Sequence, residues 1–346
     1  MEHHNTNPEH NIKIAEHSDG LRVGKELLKA TLPFAKESRN KSRRLVFTVF
    51  FLLFTSMAGA GLAQWPWLQL LFSLSSAMLM IRAFITFHDY MHGAILSNSS
   101  CAHYFFHLYG MLVLVPMHAW QKSHNYHHGH VGKVDTLGVG TFPIMTTKMW
   151  QAASKWERFY YRLQRHPLTM LLGYLTIFGI SFCLLPFLKS PIKHFDSLLS
   201  LVLHSSVIAI LWYFGSFSTA FFVILLPMML NCAFGSYLFF AQHNFKRMTI
   251  ITPSAWNYYR AALKSSSYLK LNKFMQWVTG NIGYHHIHHL NVRIPFYRLP
   301  EAMKAIPELQ TPIVTTLGLS EMSNCFKSCL WDEKAQRMVS YREAKK

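Results

Sequence analysis

Long apolar runs constrain this chain more than any other feature of it. Residues 45–62, 67–87, 168–188, 198–214 and 217–241 are built mostly from hydrophobic side chains, and 104–118 is a shorter run of the same kind. As a helix rising about 1.5 Å per residue, the first covers ~27 Å, close to the hydrocarbon thickness of a bilayer. In lipid, backbone N–H and C=O groups must be satisfied within the segment, so these runs predict helices. Hydrophobic residues make up 51% of the 346 and charged ones only 14%, against about a quarter charged in a soluble domain. The expected fold class is all-α, a transmembrane helical bundle.

A formal net charge of +18 brings nucleic acid to mind as a partner. The basic residues are separated by aromatic-rich apolar segments, however, so no nucleic acid is expected. Basic loops facing the cytoplasm and anionic lipid headgroups account for the excess. Five scattered cysteines, Cys101, Cys183, Cys232, Cys325 and Cys329, give no disulfide framework. Residues 1–20 are polar, with His3, His4, His10 and His17 irregularly spaced, and read as a flexible tail. They lack the basic-then-apolar pattern of a cleaved signal, so insertion is expected to rely on the internal spans. Residues 21–44 read as a partly amphipathic helix at the membrane surface that ends in a basic cluster. Trp65 and Trp67 suit the interfacial belt, and Arg82 is expected to snorkel toward the cytoplasmic surface.

Histidine decides how many runs cross. His88 and His92, then His124, His127 and His128, then His285, His288 and His289 form three blocks at helical spacing. Residues three and four apart share a helix face, so His285, His288 and His289 are expected together on one. Eight imidazoles exceed the capacity of a single ion, since a structural zinc takes four ligands and a catalytic one typically three. One site needs all three blocks on one side of the membrane. If 168–188, 198–214 and 217–241 all crossed, the third block would fall opposite the other two. The run 168–188 lies between Arg162 and Arg165 and the pair Lys189 and Lys193, and it contains Gly173, Gly179 and Pro186. It is therefore expected to dip in and return. The run 104–118 is too short to span and reads as re-entrant or interfacial. His103, His107 and His118, in and beside it, are expected to hydrogen-bond rather than ligate. Four spans remain, at 45–62, 67–87, 198–214 and 217–241. The last two turn at Gly215-Ser216, and every block lies in a cytoplasmic helical cap that holds a histidine-rich di-metal site.

Imidazole binds zinc, copper, iron and nickel alike, so residue type leaves the metal open. Acidic residues near the blocks are scarce, Asp89 and Asp135 being the nearest; a site bridged by glutamates is excluded. Asp89 lies off the face shared by His88 and His92, and suits orienting an imidazole N–H rather than ligation. His243 follows the last run and projects toward the same surface. Spacing alone also allows His285, His286 and His289 as the third set.

Four phrases carry a family resemblance: Phe87-His-Asp-Tyr-Met-His-Gly93, Ser123-His-Asn-Tyr-His-His128, Tyr237-Leu-Phe-Phe-Ala-Gln-His-Asn-Phe245 and Thr279-Gly-Asn-Ile-Gly-Tyr-His-His-Ile-His-His-Leu290. On the cytoplasmic side of four spans they resemble the membrane fatty-acid desaturases, in particular bacterial acyl-lipid enzymes of the delta-12 (omega-6) type. The resemblance covers roughly residues 35–305. It implies two iron ions held by His88, His92, His124, His127, His128, His285, His288 and His289. His243 matches a further family histidine at the end of the last span, and His286 is a neighbour outside the pattern. One departure is Asp-Tyr-Met inside the first block, where small residues or cysteine are common.

The reaction so implied places a cis double bond in the acyl chain of a lipid or thioester. Removing hydrogen from unactivated methylenes requires a very strong oxidant, which reduced iron and dioxygen supply while the protein contributes position and shielding. An acyl chain has no polar handle at the reacting carbons, so an apolar tunnel must measure distance. The chain has no fused b-type haem domain, cysteine-rich iron–sulfur motif or flavin fingerprint. Electrons are expected from a separate donor, a ferredoxin or a b-type haem protein with its reductase. The nearest alternative is a hydroxylase or carotenoid ketolase of the same superfamily. A metal transporter needs ionisable residues along its spans, and these carry little beyond Arg82, His204 and Asn231. The expected organisation is a flexible tail (1–20), a membrane desaturase domain (21–305) and a cytoplasmic tail (306–346) that is amphipathic and helical from about Tyr297. The expected location is the inner (cytoplasmic) membrane, in contact with lipid.

Overall fold

The computed structural model describes residues 21–134 and 142–345; the polar tail and Asp135 lie outside them. Among the described residues, four helices are long and apolar enough to cross a membrane: Arg39–Leu62, Pro66–Met91, Phe195–Phe214 and Phe217–Gln242. The first and third begin before their apolar runs, and the second and fourth continue past theirs to Met91 and Gln242, next to His92 and His243. The first two form a hairpin, tied by the Ser56 hydroxyl donating to the Phe72 carbonyl at 2.9 Å. The last two turn at Gly215 and Ser216, whose hydroxyl accepts from the Thr219 N–H. The second span is the most enclosed of the four and the third the most exposed. Exposed Val202, Ile210, Trp212 and Phe214 suit a lipid-facing surface.

Neither remaining apolar segment is a straight span. Ser100–Leu112 and Met117–His130 meet at 92°. Ser99 caps the first by accepting from the Ala102 N–H, and Pro116 precedes the second. The other segment is Pro167–Leu171 followed by Tyr174–Lys189. Residues Tyr174–Leu184 have the wide π-helical turn, which in short stretches is frequent at functional sites.

Three expectations are corrected. Residues 21–44 are not one surface helix. Gly24–Thr31 is helical, Leu32–Ala35 is a 3-10 turn with Pro33 near its start, and the basic cluster from Arg39 opens the first span. Arg82 does not snorkel: it is 6% exposed, donates to the Trp277 carbonyl, and lies over the Trp277 and Phe296 rings. A buried guanidinium finds its partners inside the protein when cap residues reach it before water does.

The chain beyond Tyr297 is not a helical tail either. It contains helices Leu299–Ala305 and Leu319–Lys327, strand Val314–Thr315 paired in parallel with Tyr268–Leu269, and an antiparallel hairpin of Leu330–Asp332 with Arg337–Val339. In the hairpin, Leu330 and Val339 face one apolar cluster while Trp331 and Met338 face another. That alternation is the period of a strand, not of a helix.

Candidate metal centre

Three elements bring the blocks together. His88 and His92 end the second span, His124, His127 and His128 lie on Met117–His130, and His285, His288 and His289 lie on the short helix His285–Leu290. Six residues do not make a stable helix alone, so the third block depends on how it is seated. Gly280 has φ +52°, and a Cβ there would come within 2.8 Å of Ile85 on the second span. A Cβ on Gly283 would strike the Leu269 carbonyl at 2.5 Å. The two glycines let this turn press against its neighbours. Arg82 holds the Trp277 carbonyl ahead of the block, and the Asp89 carboxylate accepts the Phe296 N–H behind it at 2.6 Å.

All nine expected histidines are at most 8% exposed, and they form two clusters. The first is His88, His92, His124, His128 and His288; the second is His127, His243, His285 and His289. Within each, the ligand nitrogens lie within 4.8 Å of one another. In the first, Nε2–Nε2 separations are 3.3 Å for His88–His92, 3.0 Å for His124–His88, 3.1 Å for His124–His128 and 3.3 Å for His288–His128. In the second they are 3.1 Å for His127–His243, 2.7 Å for His285–His243 and 3.2 Å for His289–His285.

The expectation that His285, His288 and His289 act from one face needs refinement. The pairs His88/His92, His124/His128 and His285/His289, each four apart, stay within one cluster. His127 and His288 go to opposite clusters from their immediate neighbours. Four residues advance a helix by only ~40° past a full turn, whereas three fall ~60° short of one.

The donor set fits cations. Converging neutral nitrogens repel unless a proton or cation lies between them, and protons shared pairwise do not satisfy five at once. A nitrogen about 2.0–2.1 Å from an ion places its neighbours ~3.0 Å away at right angles and ~3.4 Å away at the tetrahedral angle. The observed separations fall close to that range. Burial pushes His243 down to about 4, partly offset by its Nδ1–H donating to the Ser265 carbonyl at 3.0 Å. Burial first, then the neighbouring imidazoles, hold His285, His288 and His289 well below their ordinary value. Burial thus favours the neutral imidazole, the form that ligates.

Asp89 lies beside the His88 ring and belongs to neither cluster. Its Oδ1 is 3.3 Å from His88 Nδ1, which leaves Nε2 of that ring to face the cluster. His286 points away, with Nε2 3.2 Å from the Leu309 carbonyl. His103 is 3.5 Å from the Tyr90 hydroxyl, and neither it, His107 nor His118 belongs to a cluster. Sequence reasoning missed Arg82 as a tether and Ser265 as the group that orients His243. A charge inside a span was the available signal for the first; a backbone carbonyl leaves none for the second.

A cavity of about 370 Å³ opens beside both clusters. His88 and His124 of the first and His285 of the second form part of its wall. The rest comes mainly from the second span (Ile81, Phe84, Ile85), the π-helical dip (Ile177, Phe178, Phe182) and the fourth span. It is a largely apolar space that ends at imidazoles.

Residues 65–316 match the family model described as fatty acid desaturase. A fatty acid desaturase of Bacillus subtilis (strain 168) is 32% identical over 334 residues, which are 93% of this chain and 92% of that relative. The sn-1 acyl-lipid omega-3 desaturase (ferredoxin) of Synechocystis is 27% identical over 68% of this chain and 66% of its own length. The enzyme of that name from Nostoc (strain 36) is 23% identical over 81% of this chain and 79% of its own.

Proposed function

This chain belongs to the fatty acid desaturase family, a family of oxidoreductases, and we propose on that premise that its nine clustered histidines hold two iron ions. His88, His92, His124, His128 and His288 serve one ion, and His127, His243, His285 and His289 the other. The substrate is an acyl chain on a membrane lipid or thioester, and the product carries a new cis double bond. The observation that carries this reading is one apolar cavity walled by histidines of both clusters. Five imidazoles in one cluster exceed the four ligands of a structural zinc, which supports iron with its higher coordination number.

Iron with dioxygen, when bound, supplies the oxidising power to remove hydrogen from an unactivated methylene. The protein's own residues supply position. Phe84, Trp120 and Phe239 line the cavity near the imidazoles and keep water from the reacting carbons. Asp89 and the Ser265 carbonyl fix two rings with Nε2 inward. The two cyanobacterial relatives are named for ferredoxin, which supports a separate electron donor, a ferredoxin or a b-type haem protein with its reductase, for this chain.

The membrane is the inner one, with the clusters on its cytoplasmic side. Supporting this are Arg39, Lys41, Arg43 and Arg44 at the start of the first span, where Arg39 donates to the Ser97 carbonyl shortly after the first histidine block, and the uncharged turn at Gly215-Ser216. A label that reaches a cysteine placed at Ser216 only from the cytoplasm contradicts that orientation. Lipid profiling of a host expressing the chain tests the activity. New cis-unsaturated acyl chains are expected, and none from a His285→Ala variant. Hydroxylated chains in their place overturn desaturation in favour of oxygen insertion.

A further inference from the structure

The fourth span lines the cavity with Asn231, Gly235, Ser236, Leu238, Phe239 and Gln242. Positions 231, 235, 238, 239 and 242 recur at the spacing of one helix face. A Cβ built on Gly235 meets nothing within 4 Å. Gly173, which packs against the same span, is different: its Cβ would come within 2.5 Å of the Ser236 hydroxyl and 2.9 Å of the Cys232 carbonyl. Packing therefore demands glycine at 173 and not at 235. Glycine inside a helix is unfavourable relative to alanine. At 235 that cost has no steric reason, and what it leaves is space in the cavity.

Along the fourth span the cavity runs from Gln242 to Asn231, ~16 Å at about 1.5 Å per residue. One turn further, Met228 is fully buried in the apolar core and does not line the cavity. Gly235 is midway between Phe239 and Asn231, ~6 Å along the helix from each. A methyl-terminated tail has no hydrogen bonds to lose and suits the membrane-embedded end beside Ile81 and Ile177. Gln164 and Thr169 offer polar groups nearer the cap.

We propose that Gly235 is a specificity-determining position. By presenting no side chain, it lets an acyl tail descend past Phe239 to Asn231, and so sets both the chain length accepted and the carbons held against the histidines. This rests on the acyl-chain reading of the cavity. A leucine at 235 would close the lowest turn, ~6 Å, or about four to five carbons at ~1.3 Å of advance per C–C bond of about 1.5 Å. Fewer carbons would then fit beyond the reacting pair, so the double bond moves toward the methyl end.

The test is a Gly235→Ala, Gly235→Val and Gly235→Leu series in a host membrane, with products read by chain length and double-bond position. Binding is read separately, as the melting-temperature shift of purified holoenzyme on adding phosphatidylglycerols with acyl chains graded from lauroyl to stearoyl. Gly235→Leu is expected to lose roughly tenfold or more in affinity for the longest chains, to keep the shorter ones, and to shift the double bond; Gly235→Ala falls between it and the parent. Met229→Leu, at a residue of the same span that is 43% exposed, changes neither readout. Should Gly235→Leu fail to insert, Gly235→Ala decides, because its added methyl meets nothing. Unchanged chain preference and bond position in the inserted variants overturn the role of Gly235 while the cavity reading stands. A parent that neither binds nor desaturates acyl chains overturns both.

Discussion

The two histidine clusters are neighbours, yet they are assembled differently. The five-histidine cluster rests on two pairs four residues apart, His88 and the capping residue His92 at the end of a 26-residue helix, where the backbone keeps near-helical geometry at φ −78°, and His124/His128 on a 14-residue one; it takes only His288 from the six-residue helix. The four-histidine cluster has one such pair, on a helix of six residues. It takes His127 from another element, and His243 from the residue after the fourth span, where the backbone has left helical geometry at φ −124°. Long helices hold their rings by their own hydrogen-bond ladders. Short pieces must be held from outside, here by Arg82, Asp89, the Ser265 carbonyl and two glycines that permit close approach. The second cluster should therefore be the more easily emptied.

His243→Ala offers the sharpest way to break that contrast. It removes one of the four ligands proposed for that cluster and leaves the fourth span intact. Desaturation should fall by more than the 10–100-fold typical of groups that only orient a ligand, and metal content should drop from about two ions per chain to about one. Near-normal activity and metal would remove His243 from the ligand set. A smaller effect is expected from Asp89→Asn. Its amide oxygen still accepts the Phe296 N–H, while the carboxylate facing His88 is lost. Metal affinity should weaken roughly 10–100-fold at the five-histidine cluster alone, and equal loss from both clusters would show that Asp89 acts through the cap instead. The smallest change belongs to His286→Gln, which keeps a donor for the Leu309 carbonyl. Metal content should hold and stability change by about 1 kcal/mol or less; loss of an ion would place His286 among the ligands.

Much of this was legible in the sequence because three histidine blocks at helical spacing have little use except to hold metal, and because parity fixed which apolar runs cross. The division into two clusters was not. His127 and His128 are adjacent, as are His288 and His289, and which ring turns to which ion depends on where three elements meet. Arg82 read as a surface residue because the cap that covers it comes from Trp277 and Phe296, about two hundred positions later. The chain after Tyr297 read as helical because its hairpin strands are only three residues long, too short to display alternation against a helical background.

The central claim is two all-histidine metal centres, and metal analysis of the active purified protein tests it most directly. Element quantification with X-ray absorption at the iron edge should find about two irons per chain, each surrounded by nitrogen at ~2.0–2.2 Å with no bridging carboxylate. One zinc per chain at full activity would contradict it.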